Sequence, residues 1–565
     1  MTTVSEQIAE RLHARGLRHF FGQSIPSAVI LGLEALGVEQ VAYRTENAGG
    51  AMADGFARVS NQVGVVTAQN GPAATLLVAP LMEAKLVRSP IVAIVQEVPA
   101  KTRGRNAFQE IDHFGLFEPC TKAVLRVDDA RRAVELLDRA IDLAAGGVPG
   151  PVALLVPADV LASQAEQTRS GAAADMHFPA DVTVPGPAQI EAAARALAGA
   201  QRPLIISGGG ARRSAAASAL RSFAERHRIP VATTNMGKGT FDESSDLAIG
   251  VIGNVMGPRS TTYGMAEVIQ SADVILLLGA RMNENGTDAW KLFPADAQYL
   301  QVDIDADELG RNYPAVRLLG DVRATIGALQ AAADAADGFL AGYDPEPVLA
   351  RIAEIKQAAQ AEFAAAVDLE QAPVRPERVV KELAAALAPD TIMVADASYS
   401  TIWLSNYFPA AGTGYEFVEP RGMAGLGWGL PMAIGAKVAH PDREVVCITG
   451  DGGFGHVWQE LETLTRMRRK VIIIHLDNGI LGFQQHGETA SLGASTSATT
   501  FHRVDHSTIA RAADVEAIDV TEPGQVAEAI ARAVAAEGSV FINVDTDHLA
   551  YPPITSFGDL SDKLK

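Results

Sequence analysis

The stretch Glu444–Gln485, EVVCITGDGGFGHVWQELETLTRMRRKVIIIHLDNGILGFQQ, decides the fold. Its first apolar run ends at Thr449, and the chain then turns through Gly450, Asp451, Gly452 and Gly453. Trp458, Leu461, Leu464 and Met467 follow at helical spacing, which predicts an amphipathic helix. A second apolar run, Val471 to Leu476, ends at Asp477-Asn478-Gly479. A strand, turn, helix, strand, turn unit brings both turns to one edge of a parallel sheet. There the Asp451 carboxylate, the Asn478 side-chain carbonyl and the Ile480 main-chain carbonyl can converge. Oxygen ligands from two short loops suit a hard divalent cation such as Mg2+, which completes its shell with water and phosphate oxygens. The helix start offers free N–H groups and a positive dipole end to the same anion. A glycine-rich turn alone is more often a plain strand-to-helix connection. The Asn at its distance from the Asp is what such a turn does not need, and the pair points to a magnesium-diphosphate site.

Outward from this unit the same alternation recurs. From Ser5 to about Pro157 the runs His19–Phe21, Val41–Tyr43, Val63–Ala68, Ile91–Gln96 and Val152–Val156 alternate with helical segments. The small, polar, proline-bearing stretch Ala172–Pro187 reads as a linker. A second set uses Pro203–Ser207, Val274–Leu278 and Leu300–Ile304, and Ala331–Arg375 is an alanine-rich helical connector. The third set opens at Pro376, uses Ile392–Ala395 and the opening stretch, and ends near Val544. The fold class expected is α/β with three doubly wound parallel-sheet domains, over 1–170, 188–335 and 370–550, with a tail at 551–565.

The 565 residues exceed what one core organises. Hydrophobic residues at 48% and charged residues at 20% fit a soluble globular enzyme. A net charge of −20 argues against nucleic acid or an anionic membrane as partner. The two cysteines, Cys120 and Cys447, lie far apart in apolar surroundings, which disfavours a disulfide framework or a thiolate metal site. The N-terminal segment lacks the apolar core of a signal peptide, and no run is long enough to span a bilayer, so a cytoplasmic location is expected.

The GDG turn followed by Asp477-Asn478 resembles the thiamine-diphosphate motif, GDG followed at an interval by NN, with only the first of the Asn pair changed. Arg44-Thr45-Glu46-Asn47-Ala48-Gly49-Gly50-Ala51-Met52-Ala53-Asp54-Gly55-Phe56-Ala57-Arg58 resembles the RHEQGAAHAADGYAR stretch of the same enzymes. Gly422 to Pro431 resembles the segment that carries their apolar wedge. The resemblance, to the group of acetohydroxyacid (acetolactate) synthases, pyruvate oxidases and benzoylformate decarboxylases and most of all to the acetolactate synthase large subunit, covers nearly the whole chain. It implies a first domain that holds the coenzyme's pyrimidine, a third that holds its diphosphate on another subunit, and hence a homodimer or homotetramer.

By that resemblance Glu46 activates the coenzyme; a buried carboxylic acid can donate the hydrogen bond this requires. Leu426 is the wedge, and Ser398, Tyr399, Ser400, Gly425, Gly450, Asp451, Gly452, Gly453, Asn478, Ile480 and Leu481 contact the coenzyme or its Mg2+. Asn106-Ala107-Phe108-Gln109-Glu110 resembles the AFQE segment, which sets Phe108 and Gln109 beside the substrate. Gln69 stands where benzoylformate decarboxylase has a catalytic histidine, and His113 reads as a surface residue. Gly208–Gly210 and Val302–Asp305 are candidates to hold FAD or ADP.

The chain also departs from the pattern. Gln23-Ser24-Ile25-Pro26 replaces a YPGG-like turn. Gly487 stands where the synthases have the tryptophan that favours a larger second 2-oxo acid. In Gly279–Asn285 one arginine of GARFDDR is kept and the second is lost. The activity implied is a 2-oxo acid decarboxylase or carboligase. The alternatives are a 2-hydroxyacyl-CoA or oxalyl-CoA lyase, for which 551–565 offers little lid, and an FAD-dependent oxidase resembling pyruvate oxidase. A nicotinamide dehydrogenase would explain the alternation but not the pairing of Asp451 with Asn478.

Overall fold

The computed structural model of the chain describes residues 2–165, 175–336, 338–412, 415–560 and 563–564. Three six-stranded sheets follow one another along it, besides a two-stranded ribbon of Thr2–Thr3 with Gln164–Ala165. The first runs, edge to edge, Glu39–Ala42, His19–Gly22, Gly64–Ala68, Ile91–Glu97, Val152–Pro157, Ala123–Arg126, and every pairing is parallel. The third runs Glu416–Val418, Ile392–Ala395, Val445–Gly450, Ile472–Asp477, Val540–Asp545, Glu516–Val520, again all parallel. Counted in chain order within each sheet, both follow second, first, third, fourth, sixth, fifth, a shared topology that no repeat in the sequence announces. The central sheet, Ala248–Val251, Val231–Thr233, Pro203–Ser207, Val274–Leu278, Gln298–Asp303, Ala315–Leu319, has the order third, second, first, fourth, fifth, sixth of dinucleotide-binding folds.

Helices cover both faces of such sheets, so central strands bury both sides of the pleat and read as unbroken apolar runs. All six residues of Ile472–Asp477 are buried, as are the first five of Val445–Gly450. The strands that periodicity does not reveal are short or partly exposed edges: Ala123–Arg126 has no buried residue, and Glu516–Val520 exposes two charged side chains.

Two findings differ from the sequence reading. The helix expected through Trp458 is broken into Asp451–Phe454 and Glu460–Met467, and Trp458 lies between them, 36% exposed. Of the expected tail, the described residues Tyr551, Ile554, Phe557 and Leu560 pack into the structure and are buried. The Thr555 N–H donates to the Asn254 carbonyl at 2.9 Å, and the Arg259 guanidinium lies 4.3 Å from the Tyr551 ring centre, which ties this segment to the central unit.

The first and third units meet through two small-residue helices, Glu46–Ser60 and Gly429–Ala439. Their backbones approach so closely that a Cβ at Gly435 would lie 1.9 Å from the Met52 carbonyl oxygen. Only glycine permits that contact. Among the described residues no helix is long and apolar enough to cross a membrane.

Candidate active site

Asp451 opens the one-turn helix that follows the strand Val445–Gly450. Its Oδ2 accepts the N–H groups of Asn478 at 3.0 Å and Gly479 at 2.8 Å, so the two turns are hydrogen-bonded together at one sheet edge. Asn478 Oδ1 accepts the Ile480 N–H at 3.1 Å. Asp451 Oδ1 is buried without a hydrogen-bond partner, with His475 Nε2 3.5 Å away. Burial works to raise the Asp451 carboxyl, but the His475 ring, the Asn478 N–H and the Asp477 side chain outweigh it and the net shift is downward. An ionised, buried oxygen without a partner is costly. A cation against it removes that cost, so the residues present fit a magnesium ion.

A cavity of about 400 Å³ opens over this edge, within the range of cofactor sites. Gly450, Asp451, Gly452, Gly453, Asn478, Ile480, Leu481, Leu426, Ser398, Tyr399 and Ser400 line it. Gly425 does not. A Cβ there would lie 2.6 Å from the Trp428 ring, so this glycine makes room for the indole, whose Nε1–H donates to Asn47 Oδ1 at 3.0 Å. Leu426 is half-buried.

Ser398, at φ 72°, turns the chain into the helix Tyr399–Tyr407. The first N–H groups of that helix can take an anion. The Tyr399 hydroxyl is committed elsewhere, 2.8 Å from His486 Nδ1. His486 Nε2 lies 3.1 Å from the His548 carbonyl, which can only accept, so Nε2 carries the hydrogen. Burial pushes His486 down to about 4; the ring is neutral and Nδ1 accepts from the tyrosine.

Glu46 begins its helix half-buried, and the Thr45 hydroxyl oxygen caps that helix by accepting the Ala48 N–H. The Arg44 and Thr45 N–H groups donate to the Glu460 carboxylate at 3.2 and 3.3 Å. Gln69 Nε2 donates to Gln109 Oε1 at 2.9 Å, and Asn70 Nδ2 donates to the Phe108 and Gln109 carbonyls. Phe108 is 83% exposed. None of Glu46, Gln69, Phe108 and Gln109 lines the Asp451 cavity, so within one chain two separate groups form. His113, expected at the surface, is instead 1% exposed beneath this loop; Gly71 N–H donates to its Nε2 at 3.0 Å, and its Nδ1 lies 3.4 Å from Glu97.

Family models describe what these units resemble. That of the N-terminal TPP binding domain of thiamine pyrophosphate enzymes matches residues 2–116, that of their central domain 190–329, and that of their C-terminal TPP binding domain 396–544. The chain belongs to the thiamine pyrophosphate enzymes. It is 32% identical to the probable acetolactate synthase large subunit of Methanocaldococcus jannaschii, over 96% of this chain and 92% of that protein. It is 30% identical to the acetolactate synthase isozyme 2 large subunit of Escherichia coli (strain K12), over 99% of each.

In this thiamine pyrophosphate enzyme the cavity also includes residues that sequence reasoning missed. Asp396 is buried at its wall, accepts the Ala397 and Gly427 N–H groups and the Thr449 hydroxyl, and is raised by burial to about 6. Its place at a strand end was the available signal. Asn254, Asn285 and Arg421 also line the cavity, and nothing local in the sequence marks them. A second, smaller cavity of about 140 Å³ includes Gly209, Gly210, Arg213, Asp303 and Ile304. Arg88 donates to Asp303 and Asp305 at 2.8 Å each. Arg213 Nη1 is buried there without a partner.

Proposed function

We propose that the chain is a Mg2+- and thiamine diphosphate-dependent lyase or carboligase that decarboxylates a 2-oxo acid, with or without transfer of the remaining fragment to a carbonyl acceptor, as an acetolactate synthase does. The observation that carries this reading is the unpaired Asp451 Oδ1 at a cavity where the Asn478 and Gly479 turn is hydrogen-bonded to the same carboxylate. Asp451, Asn478 and the Ile480 carbonyl would hold Mg2+. The main-chain N–H groups at Tyr399 and Ser400 and those of the Gly452-Gly453 turn take phosphate oxygens. Leu426, at the wall of the cavity, would pack against the bound coenzyme. Bound thiamine diphosphate supplies a carbon nucleophile and accepts the electron pair left when carbon dioxide departs. Glu46 holds the proton on the coenzyme's pyrimidine nitrogen, and Gln109, oriented by Gln69, faces the substrate beside Phe108. That Glu46 does not line its own chain's Asp451 cavity supports a homodimer or homotetramer in which one subunit supplies Glu46 and its partner Asp451.

A nucleotide such as FAD or ADP at the smaller cavity would set phosphates against Gly209, Gly210 and the free Arg213 Nη1, and at about 140 Å³ the cavity would hold only part of either molecule. The test of the main reading is a panel of 2-oxo acids with thiamine diphosphate and Mg2+, followed by carbon dioxide release and mass analysis of products. Release from at least one acid, dependent on both additions, is expected. Turnover that continues without the coenzyme overturns the reading.

A further inference from the structure

Beside the Asp451 turn four buried side chains converge: Asp451, His475, Asp477 and His506. One ligand atom from each lies within 4.8 Å of all the others. His475 Nε2 is 3.2 Å from His506 Nδ1 and 3.5 Å from Asp451 Oδ1, and His506 Nδ1 is 3.7 Å from Asp477 Oδ2. Bonds of 2.0–2.1 Å place the donors of a tetrahedral zinc site about 3.3 Å apart, close to these separations.

Hydrogen bonding alone does not satisfy the cluster. A ring hydrogen on His475 Nε2 serves one contact at most. Two of the three separations are too long for good hydrogen bonds, and Asp451 Oδ1, on a side chain 5% exposed, keeps no partner. The chain builds the cluster from three elements: the strand Ile472–Asp477 gives His475 and Asp477, the GDGG turn gives Asp451, and the helix His506–Ala512 begins with His506. A cavity of about 300 Å³ lined by Asp451, Asp477 and His506 provides a way in.

We propose that these four side chains form a second metal site, for a divalent transition-metal ion of the zinc type, sharing Asp451 with the magnesium ion. Mixed imidazole and carboxylate donors in a four-coordinate arrangement select such an ion over Mg2+. Paired metal ions lie about 3.5–4 Å apart, a spacing that one carboxylate can bridge. The ion would brace the turn that carries Asp451 against the segment that carries His506.

Co2+ is the probe. Added to the enzyme already saturated with thiamine diphosphate and Mg2+, it should bind one equivalent per chain and give the intense visible absorption of a four-coordinate ion, which Zn2+ then displaces. The band should disappear in His506→Gln and in Asp477→Asn. The wild-type measurement decides without relying on the variants: no such band at saturating Co2+ overturns the site, as does a band undiminished in both variants. Binding is read without turnover, so the result is independent of which 2-oxo acid the enzyme uses.

Discussion

Glu46→Gln exchanges one carboxyl oxygen for an amide nitrogen at the half-buried start of the helix Glu46–Ser60. The Thr45 cap, the Trp428 bond to Asn47 and the Glu460 contacts to the Arg44 and Thr45 N–H groups do not involve the Glu46 side chain and persist. Stability should therefore change by no more than about 0.5 kcal/mol, the scale of a surface substitution. Catalysis should change far more. A positioned acid–base group contributes roughly 10²–10⁴-fold, or about 3–5 kcal/mol of barrier, and glutamine cannot hold the exchangeable proton. Coenzyme affinity should move by less than about tenfold, or 1.4 kcal/mol, because Asp451, Asn478 and the phosphate-facing N–H groups lie on the third unit. The assay pairs kcat for carbon dioxide release with a calorimetric Kd for thiamine diphosphate. Full activity refutes the assigned role, and so does activity lost only in proportion to lost coenzyme binding.

Gly435→Ala drives a Cβ into the Met52 carbonyl oxygen, 1.9 Å away, and backbone cannot swing aside as a side chain can. It should cost at least the 1–3 kcal/mol or so typical of overpacking, seen as a lower Tm; an unchanged Tm would mean that the two helices are not held this closely. Glu419 is buried with Oε2 unpaired, and burial raises its carboxyl to about 7 against the pull of Arg421, Arg212 and Lys238. The protonated form is the one the fold favours, so its contribution is complete below the ordinary carboxylate pKa and is lost as pH rises through 7. Glu419→Gln should then be more stable than wild type at pH ~8 by about 3 kcal/mol, from a shift of roughly two units, with the gain vanishing below pH ~4; thermal melts across pH check both sign and window. Tyr399→Phe leaves the buried His486 Nδ1 without its donor and should cost about 1–3 kcal/mol, which denaturant unfolding measures.

The alternation of apolar runs and helical segments made the three parallel sheets legible, because strands covered on both faces must be apolar throughout. What escaped were edge strands such as Ala123–Arg126 and Glu516–Val520, whose half-exposed residues obey neither pattern. The Asp451 turn and Asn478 were readable because their chemistry sits within one local unit, and the structure does bring them into hydrogen-bond contact. Asn254, Asn285 and Arg421 were not, since only tertiary packing carries them to the same cavity. The space at Gly425 is filled by the Trp428 indole, a contact three residues away that the glycine-rich pattern alone does not show. His113 is buried by a contact with Gly71, far away in sequence, which its own neighbours do not signal. His475 and His506, buried in one cluster with Asp451, drew no notice in the sequence because they lie on different elements.

The most direct measurement of the coenzyme assignment is calorimetric titration of thiamine diphosphate into wild type and Asp451→Ala, each with Mg2+ and with a chelator. One coenzyme per chain should bind to wild type, only with Mg2+, and binding should be lost in the variant while circular dichroism shows it folded. Binding of equal strength without Mg2+, or in folded Asp451→Ala, would contradict the assignment of Asp451 as the anchor of a magnesium-diphosphate site.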